Sequence, residues 1–174
     1  MPDEFLSVDV SDFEGFAQLL ERFPLEVQDK MLKNATGAGA SVLQVAMINA
    51  APVHVGPETT GSNALPPGLV KADIRVAALK QGRGWLIGPG LRTGYVVRWL
   101  ERGHQLIRGG KRARLGKKTV NSGGKVIGHV PAHPFIRPAF DAHWKDAVAA
   151  MGQQLGTEMA KYWKDTLRKL GLNG

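Results

Sequence analysis

The chain of 174 residues contains no cysteine, and it has no long hydrophobic run. Without cysteine there are no disulfides, no thiolate metal sites and no thiol nucleophiles, which is compatible with assembly in a reducing cytoplasm. A membrane-spanning helix needs about 18 or more apolar residues in succession, and no stretch approaches this. The first ten residues, MPDEFLSVDV, lack the basic start and apolar core of a signal peptide. We therefore expect a soluble protein with no membrane partner.

Acidic residues are missing from one segment. Between positions 102 and 125 there are eight Lys or Arg and no Asp or Glu, which leaves 15 basic and 15 acidic residues in the rest of the chain. The net charge of +8 thus belongs to an appendage on a neutral domain, and this argues against a general DNA-coating protein. The basic residues are Arg102, Arg108, Lys111, Arg112, Arg114, Lys117, Lys118 and Lys125.

Three interpretations of this basic segment remain open. It is a solvated loop, a segment that contacts an acidic neighbouring protein, or a segment that contacts DNA phosphates. Affinity for DNA phosphates depends on the salt concentration. The segment has none of the interleaved aromatic residues on which single-stranded nucleic acid stacks. Glycine pairs at 109–110 and 123–124 could flank a hairpin arm or a disordered loop.

Motifs for catalysis and cofactors are also missing. There is no G-x-S-x-G elbow, and the glycine-rich stretches do not have the spacing of phosphate-binding loops. His129 and His133 have the i, i+4 spacing of two metal ligands on a helix, but Pro131 and Pro134 disfavour a helix there. We expect no metal, no cofactor and no enzymatic activity.

Hydrophobic periodicity predicts an α+β domain that begins with helices over 1–50. Ser11 and Glu14 form a capping-box pattern before a first helix. A second helix is predicted from Pro24 to about Asn49. Its two glycines, at 37 and 39, predict either close packing against another helix or a bend. Positions 51–68 are predicted to be a loop because they contain four prolines and three glycines.

A sheet region is predicted over 69–102, a basic arm over 103–130 and a long helix over 135–170. LVKADIRVAAL alternates as a strand with Asp73 on its polar side, and GRGWLIGPG reads as a second strand. GYVVRWLERG fits a strand or a short helix. The last helix, of roughly 33 residues, is about 50 Å long. Because one small domain cannot bury that length, we expect part of its apolar stripe to meet another chain.

Three segments, in a fixed order, resemble one protein family. They are APVHVGPETTGSNALPPGLVKADIRV, IGPGLRTGYVVRWLERGH and PAHPFIRPAFDA. The first resembles the family's Ala-Pro-Val loop, Thr-Gly turn and leading strand, with an insertion around 63–67. The second resembles a Val-Gly-Pro strand followed by Tyr-x-x-x-x-Glu-x-Gly, with one extra residue. The third resembles a Pro-Ala-x-Pro-Phe-hydrophobic-Arg-Pro-Ala signature before the last helix.

The family is that of tailed-bacteriophage neck, or tail-completion, proteins, which join head to tail in siphophages and related myophages. The resemblance covers roughly 40–145, and the basic segment replaces a shorter loop in typical members. It implies a small antiparallel sheet flanked by N-terminal and C-terminal helices, in a non-catalytic subunit of the virion's head–tail junction. A closed ring of six or twelve copies fits a phage axis. Its partners are then the head-connector or head-closure and tail-terminator or tail-tube proteins, with possible contact to passing DNA; the alternative is a small DNA-binding accessory protein.

The third segment is expected to anchor the last helix. Its prolines restrict the backbone, and a proline in the first helical turn loses no hydrogen bond. Arg137 is placed to pair with a carboxylate, with Glu101 as a candidate. Simple core packing is the competing interpretation for the whole set. The anchor residues are Glu101, Pro134, Phe135, Arg137, Pro138, Phe140 and Trp144.

Overall fold

The computed structural model describes residues 21, 23–53, 66–79, 84–109, 111–115, 118–122 and 124–171; side chains are not described for 111–115 and 118–122. The predicted first helix and most of the 51–68 loop lie outside the described residues. The elements, in chain order, are α1 (Leu25–Ala50), α2 (Leu69–Ala72), β1 (Ile74–Ala78), β2 (Trp85–Pro89), α3 (Gly94–Arg102), β3 (His104–Arg108), β4 (Lys111–Leu115), β5 (Lys118–Ser122), β6 (Lys125–Val130) and α4 (Ile136–Lys169).

Two long helices, α1 and α4, form the body of the molecule. They are antiparallel, because the end of α1 packs near the start of α4 and the start of α1 packs near the end of α4. The predicted close packing at glycine is confirmed at Gly39, where an added Cβ would lie 2.7 Å from Met151 Cγ and 3.0 Å from the Ala147 carbonyl oxygen. The small residue lets the two backbones approach.

The core is divided between the two ends of this helix pair. At one end, Phe23, Met31, Ala35 and Leu155 are buried together, and Phe23 meets the rings of Tyr162 and Trp163 edge-on at 5.0 and 6.0 Å between centroids. The core cluster at the other end is larger, and α1, β1, α3 and the start of α4 contribute residues to it. Its buried members are Ala46, Met47, Ala51, Ile74, Val97, Phe135 and Ala139.

The strand predicted over 69–79 is only partly correct. Strand β1 begins at Ile74 and pairs with β2 in antiparallel register, from Ile74 opposite Pro89 to Ala78 opposite Trp85. Residues 69–72 instead form one helical turn after Gly68, whose φ of 77° turns the chain. The Ala72 amide donates to the Gly68 carbonyl at 3.0 Å and the Asp73 amide donates to the Leu69 carbonyl at 3.0 Å. The apolar alternation is therefore not a strand signal at these positions.

The structure decides two alternatives that the sequence leaves open. The segment GYVVRWLERG is a helix, α3, and the basic segment is a hairpin arm. Strands β3 and β6 pair to form the arm base, with a bulge between Leu106 and Ile107, and β4 pairs with β5 to form the tip hairpin. Gly109 and Gly124, one from each predicted glycine pair, lie between base and tip. The α+β class, with a small antiparallel sheet and flanking helices, is confirmed.

Helix α4 spans 34 residues, so its rise is about 51 Å. Its apolar stripe becomes exposed toward the C-terminal end, where Trp163, Leu167 and Leu170 are 55%, 44% and 66% exposed. None of the helices in the described ranges is long and apolar enough to cross a membrane.

Candidate functional site

The corner where the arm leaves the body is built around the Glu101 carboxylate. Glu101 lies in the last turn of α3, and one of its oxygens accepts hydrogen bonds from the amides of Phe135 and Ile136 at 2.9 and 3.0 Å. These amides stand at the start of α4, where a helix has unpaired donors and a partial positive charge. No side chain caps α4 from its own N-cap residue, Phe135. Glu101 performs this role from a different helix.

Phe135 is the apolar part of the same corner. Its side chain is 5% exposed and lies in the larger core cluster with Met47, Ile74 and Val97. Burying a side chain of this size contributes about 1.5–3 kcal/mol. Pro134 is exposed immediately before the helix, and Pro138 is exposed in its first turn, where its missing amide hydrogen costs nothing. Phe140 and Trp144, two further anchor residues expected from the sequence, are half-buried.

Glu101 was expected as a partner of Arg137, but within one subunit the two side chains do not form an ion pair. Arg137 Nε lies 3.8 Å from Asp141 Oδ2, one turn along α4, and both side chains are largely exposed. Such a pair contributes little to stability in water. The sequence identifies Glu101 and Arg137 as members of one corner, but the carboxylate binds backbone amides there, which residue types alone do not reveal.

The connection between body and arm requires glycine. Gly103 has a φ of 68°, and a Cβ added there would lie 2.6 Å from the Val130 carbonyl oxygen. Residues with a side chain rarely adopt this conformation. The His133 amide also donates to the Leu100 carbonyl at 2.7 Å. Both strands of the arm base are thus fixed where α3 ends and α4 approaches.

The structure describes the side chains of three of the eight basic residues. Arg102 is exposed at the end of α3, and Arg108 and Lys125 are exposed in the arm base. The backbone of Lys111, Arg112, Arg114 and Lys118 lies in the tip hairpin, without a description of their side chains, and Lys117 is outside the described residues. Arg108 lies directly opposite Lys125 across the strand pair. Like charges directly opposite one another destabilise a strand pair, so the arm base presents two cations that repel each other.

Apolar residues are exposed on the same arm base. Leu106, Ile107, Val126 and Ile127 are between 42% and 58% exposed. An isolated two-stranded ribbon is marginally stable in water, and its outer edges leave backbone groups unpaired. The arm base thus combines cations and exposed aliphatic side chains with outer strand edges that pair with no other described strand.

Next to the arm, helix α3 exposes a row of rings that sequence analysis did not find. Tyr95 meets Trp99 edge-on at 5.2 Å between centroids, and Trp99 stacks on the His104 imidazole at 5.0 Å. Tyr95 and Trp99 are 45% and 46% exposed. Their i, i+4 spacing signals a shared face only once the segment is known to be helical.

The alternating sequence pattern predicts Asp73 on the polar side of a strand, and this prediction is wrong. Asp73 is 3% exposed, although the alternating pattern puts it toward solvent. Its Oδ2 accepts from the Thr93 hydroxyl at 2.9 Å and the Thr93 amide at 3.1 Å, and Oδ1 lies 2.7 Å from the Arg75 guanidinium. The hydrogen bond from the Thr93 hydroxyl, aided by Arg75, lowers the pKa of Asp73 below its usual range despite the opposing effect of burial. These bonds join the β1 start to the turn before α3.

The histidine motif has no metal-binding geometry. His129 lies in strand β6 and His133 in the extended segment before α4, so the helical face that the spacing requires does not exist. Among the described residues there is no group of three or more His, Asp or Glu that could hold a metal ion.

Comparison with known proteins finds no matching family model, no matching curated protein and no matching solved structure.

Proposed function

We propose that this chain is a structural subunit of the bacteriophage head–tail junction, where it forms a closed homo-oligomeric ring that lets DNA pass. The observation that supports this most directly is the convergence of the three segments that resemble neck proteins. Ala51 from the first segment, Val97 from the second and Phe135 from the third are buried in one cluster. Segments far apart in sequence that resemble one family thus build a single cluster.

The matched positions also have physical roles that explain why this pattern contains these residue types. Glu101 of the Glu-x-Gly pair caps α4, and Gly103 supplies the left-handed turn into the arm. The phenylalanine of the last signature is the buried anchor, and the following proline fits the first helical turn. The role needs neither catalysis nor a cofactor.

The experiment that tests this proposal is electron microscopy of lysate from a phage with a nonsense mutation in this gene. We expect separate DNA-filled heads and finished tails, or tails of abnormal length. Heads without attached tails, with tails present separately, indicate the head side of the junction, and malformed tail ends indicate the tail side. Intact, infectious particles would contradict the proposal.

A second candidate is a small DNA-binding accessory protein. It is favoured by the eight basic residues of 102–125 and by the exposed rings of Tyr95 and Trp99 next to them, since cations and stacking surfaces bind nucleic acid. It predicts strong binding to random duplex that falls steeply with salt. A junction subunit binds free DNA weakly at physiological salt, so a salt titration separates the two.

A further inference from the structure

The arm and the N-terminal segment connect to opposite ends of the helix pair. The arm leaves the body where α4 begins, at Phe135. The N-terminal segment joins the body at Phe23, which packs on Tyr162 and Trp163 near the other end of α4. About 27 helical residues separate these places, which is about 40 Å at 1.5 Å per residue. The arm and the N-terminal segment therefore join the body at opposite ends.

The N-terminal segment has a composition complementary to the arm. Residues 1–21 contain six acidic residues and no Lys or Arg, whereas 102–125 contains eight basic residues and no acidic one. Its acidic residues alternate with the apolar ones of MPDEFLSVDVSDFEGF. A segment of this kind can neutralise the cations of the arm base and cover its aliphatic side chains. The acidic residues are Asp3, Glu4, Asp9, Asp12, Glu14 and Glu21.

We propose that the arm base of one subunit binds the acidic N-terminal segment of the next copy, in a head-to-tail contact. This contact would be the subunit interface of the proposed ring, and its biological role rests on that proposed function. The contact itself can be measured on the isolated protein. A contact between opposite ends of identical molecules is heterologous, and it generates a ring when the rotation closes.

The arm base favours a protein partner over DNA. DNA phosphates neutralise cations but leave Leu106, Ile107, Val126 and Ile127 in water. An acidic and apolar peptide covers both kinds of side chain, and it can pair with the outer edges of β3 and β6, which pair with no other described strand. The repulsion between Arg108 and Lys125, which face each other in the strand pair, is relieved when a carboxylate lies between them.

The end of α4 competes for the same acidic segment. Lys161 and Lys164 are exposed near Trp163, so the segment of one subunit could instead fold back on its own helix. An extended chain of 20 residues also reaches up to about 70 Å, so the arm of the same subunit lies within range. The test must therefore distinguish contacts within a subunit from contacts between subunits.

The test is sedimentation velocity on the full chain at about 0.05 M and about 0.5 M salt, where charge contacts are weakly and strongly screened. We expect low-salt association that weakens about tenfold or more at high salt. Two charge-reversed chains are compared with it. One carries Arg108→Glu and Lys125→Glu in the arm, and the other carries Asp3→Lys, Glu4→Lys and Asp9→Lys.

Each reversed chain alone is expected to remain monomeric, while an equal mixture of the two, or one chain carrying all five changes, associates again. Restored association cannot arise from a variant that has merely unfolded. The matched control, Lys161→Glu with Lys164→Glu, is expected to associate as the unaltered chain does.

Three results would overturn the inference: a monomeric unaltered chain at low salt, association that survives reversal of the arm, or association lost only in the control. Loss of duplex binding by the arm-reversed chain with its association intact would assign the arm to DNA instead. Electron microscopy of the nonsense-mutant lysate tests the junction role separately. If junction defects appear there while charge reversal has no effect, the contact is wrong and the function stands.

Discussion

At the residue scale, two carboxylates hold together segments that are distant in sequence. Glu101 joins α3 to the start of α4, and Asp73 joins β1 to the turn before α3. Both accept hydrogen bonds from backbone amides, which every residue except proline carries. The contribution of each carboxylate to stability therefore depends on where it lies in the fold, and residue types alone do not reveal which amides it binds.

We predict that Glu101→Gln lowers the free energy of unfolding by about 0.5–1 kcal/mol, because an amide oxygen still accepts hydrogen bonds but the negative charge at the helix N-terminus is lost. Glu101→Ala removes the acceptor as well and lowers it by about 1–2 kcal/mol, as for other lost helix caps. Urea unfolding measures both changes.

The control for these variants is Arg137→Gln, which should change stability by no more than about 0.5 kcal/mol because its ion pair is exposed. If Arg137 were the partner of Glu101, the two substitutions would have similar effects and would not add in a double variant. A strong coupling between them would contradict the geometry described above.

A second prediction concerns pH. Because the folded state lowers the pKa of Asp73, its contribution to stability is complete above the ordinary aspartate pKa of about 3.9. It is lost as pH falls through the lowered value, when the carboxylate must be protonated. Unfolding measured from neutral pH to about pH 2 should show this loss below about pH 4. Asp73→Asn should flatten that part of the profile, and an unchanged slope would contradict the role of the Thr93 hydrogen bonds.

At the element scale, the packing of α1 on α4 depends on a small residue at one crossing point. We predict that Gly39→Ala destabilises the protein by about 1–2 kcal/mol. The gain in helix propensity, about 1 kcal/mol, is smaller than the strain of pushing Met151 and the α4 backbone aside.

The same substitution elsewhere should have the opposite sign. Gly156 lies on α4 with open space where a Cβ would stand, so Gly156→Ala should stabilise by about 0.5–1 kcal/mol. Thermal and urea unfolding of the two variants are compared. Stabilisation by both would mean that the helices do not approach closely at Gly39.

Most of the long elements and the short strand β2 could be predicted from the sequence, but other short elements could not. The span of α1 and the start of α4 follow from apolar periodicity and from proline in or just before the first turn. The arm's hairpin form was one of two alternatives, marked by its glycine pairs. The prediction of a strand over 69–72 is wrong, and the segment around Tyr95 was left open between strand and helix, because over so few residues the helical and strand patterns coincide. Tertiary contacts such as Asp73 with Thr93 decide between the two.

At the scale of the whole molecule, the arm is separable from the body. Among the described residues, its base is fixed where α3 ends and α4 approaches, and its exposed apolar residues lie outside both core clusters. We predict that deleting 106–126 leaves the stability of the body within about 0.5 kcal/mol, as for surface changes. The same deletion should abolish infectivity when it is supplied to a nonsense-mutant phage in place of the unaltered chain. Normal titres with the deleted chain would contradict a role for the arm in assembly.

The proposed place of this protein is the junction between the head and the tail of the virus particle, and the most direct measurement is to locate it there. A small peptide tag on this chain, detected by gold-labelled antibody on purified infectious particles, shows where it resides. We predict label at the narrow junction between head and tail, in one place per particle. Label along the tail, on the head shell, or absent from particles that are fully infectious would contradict the claim.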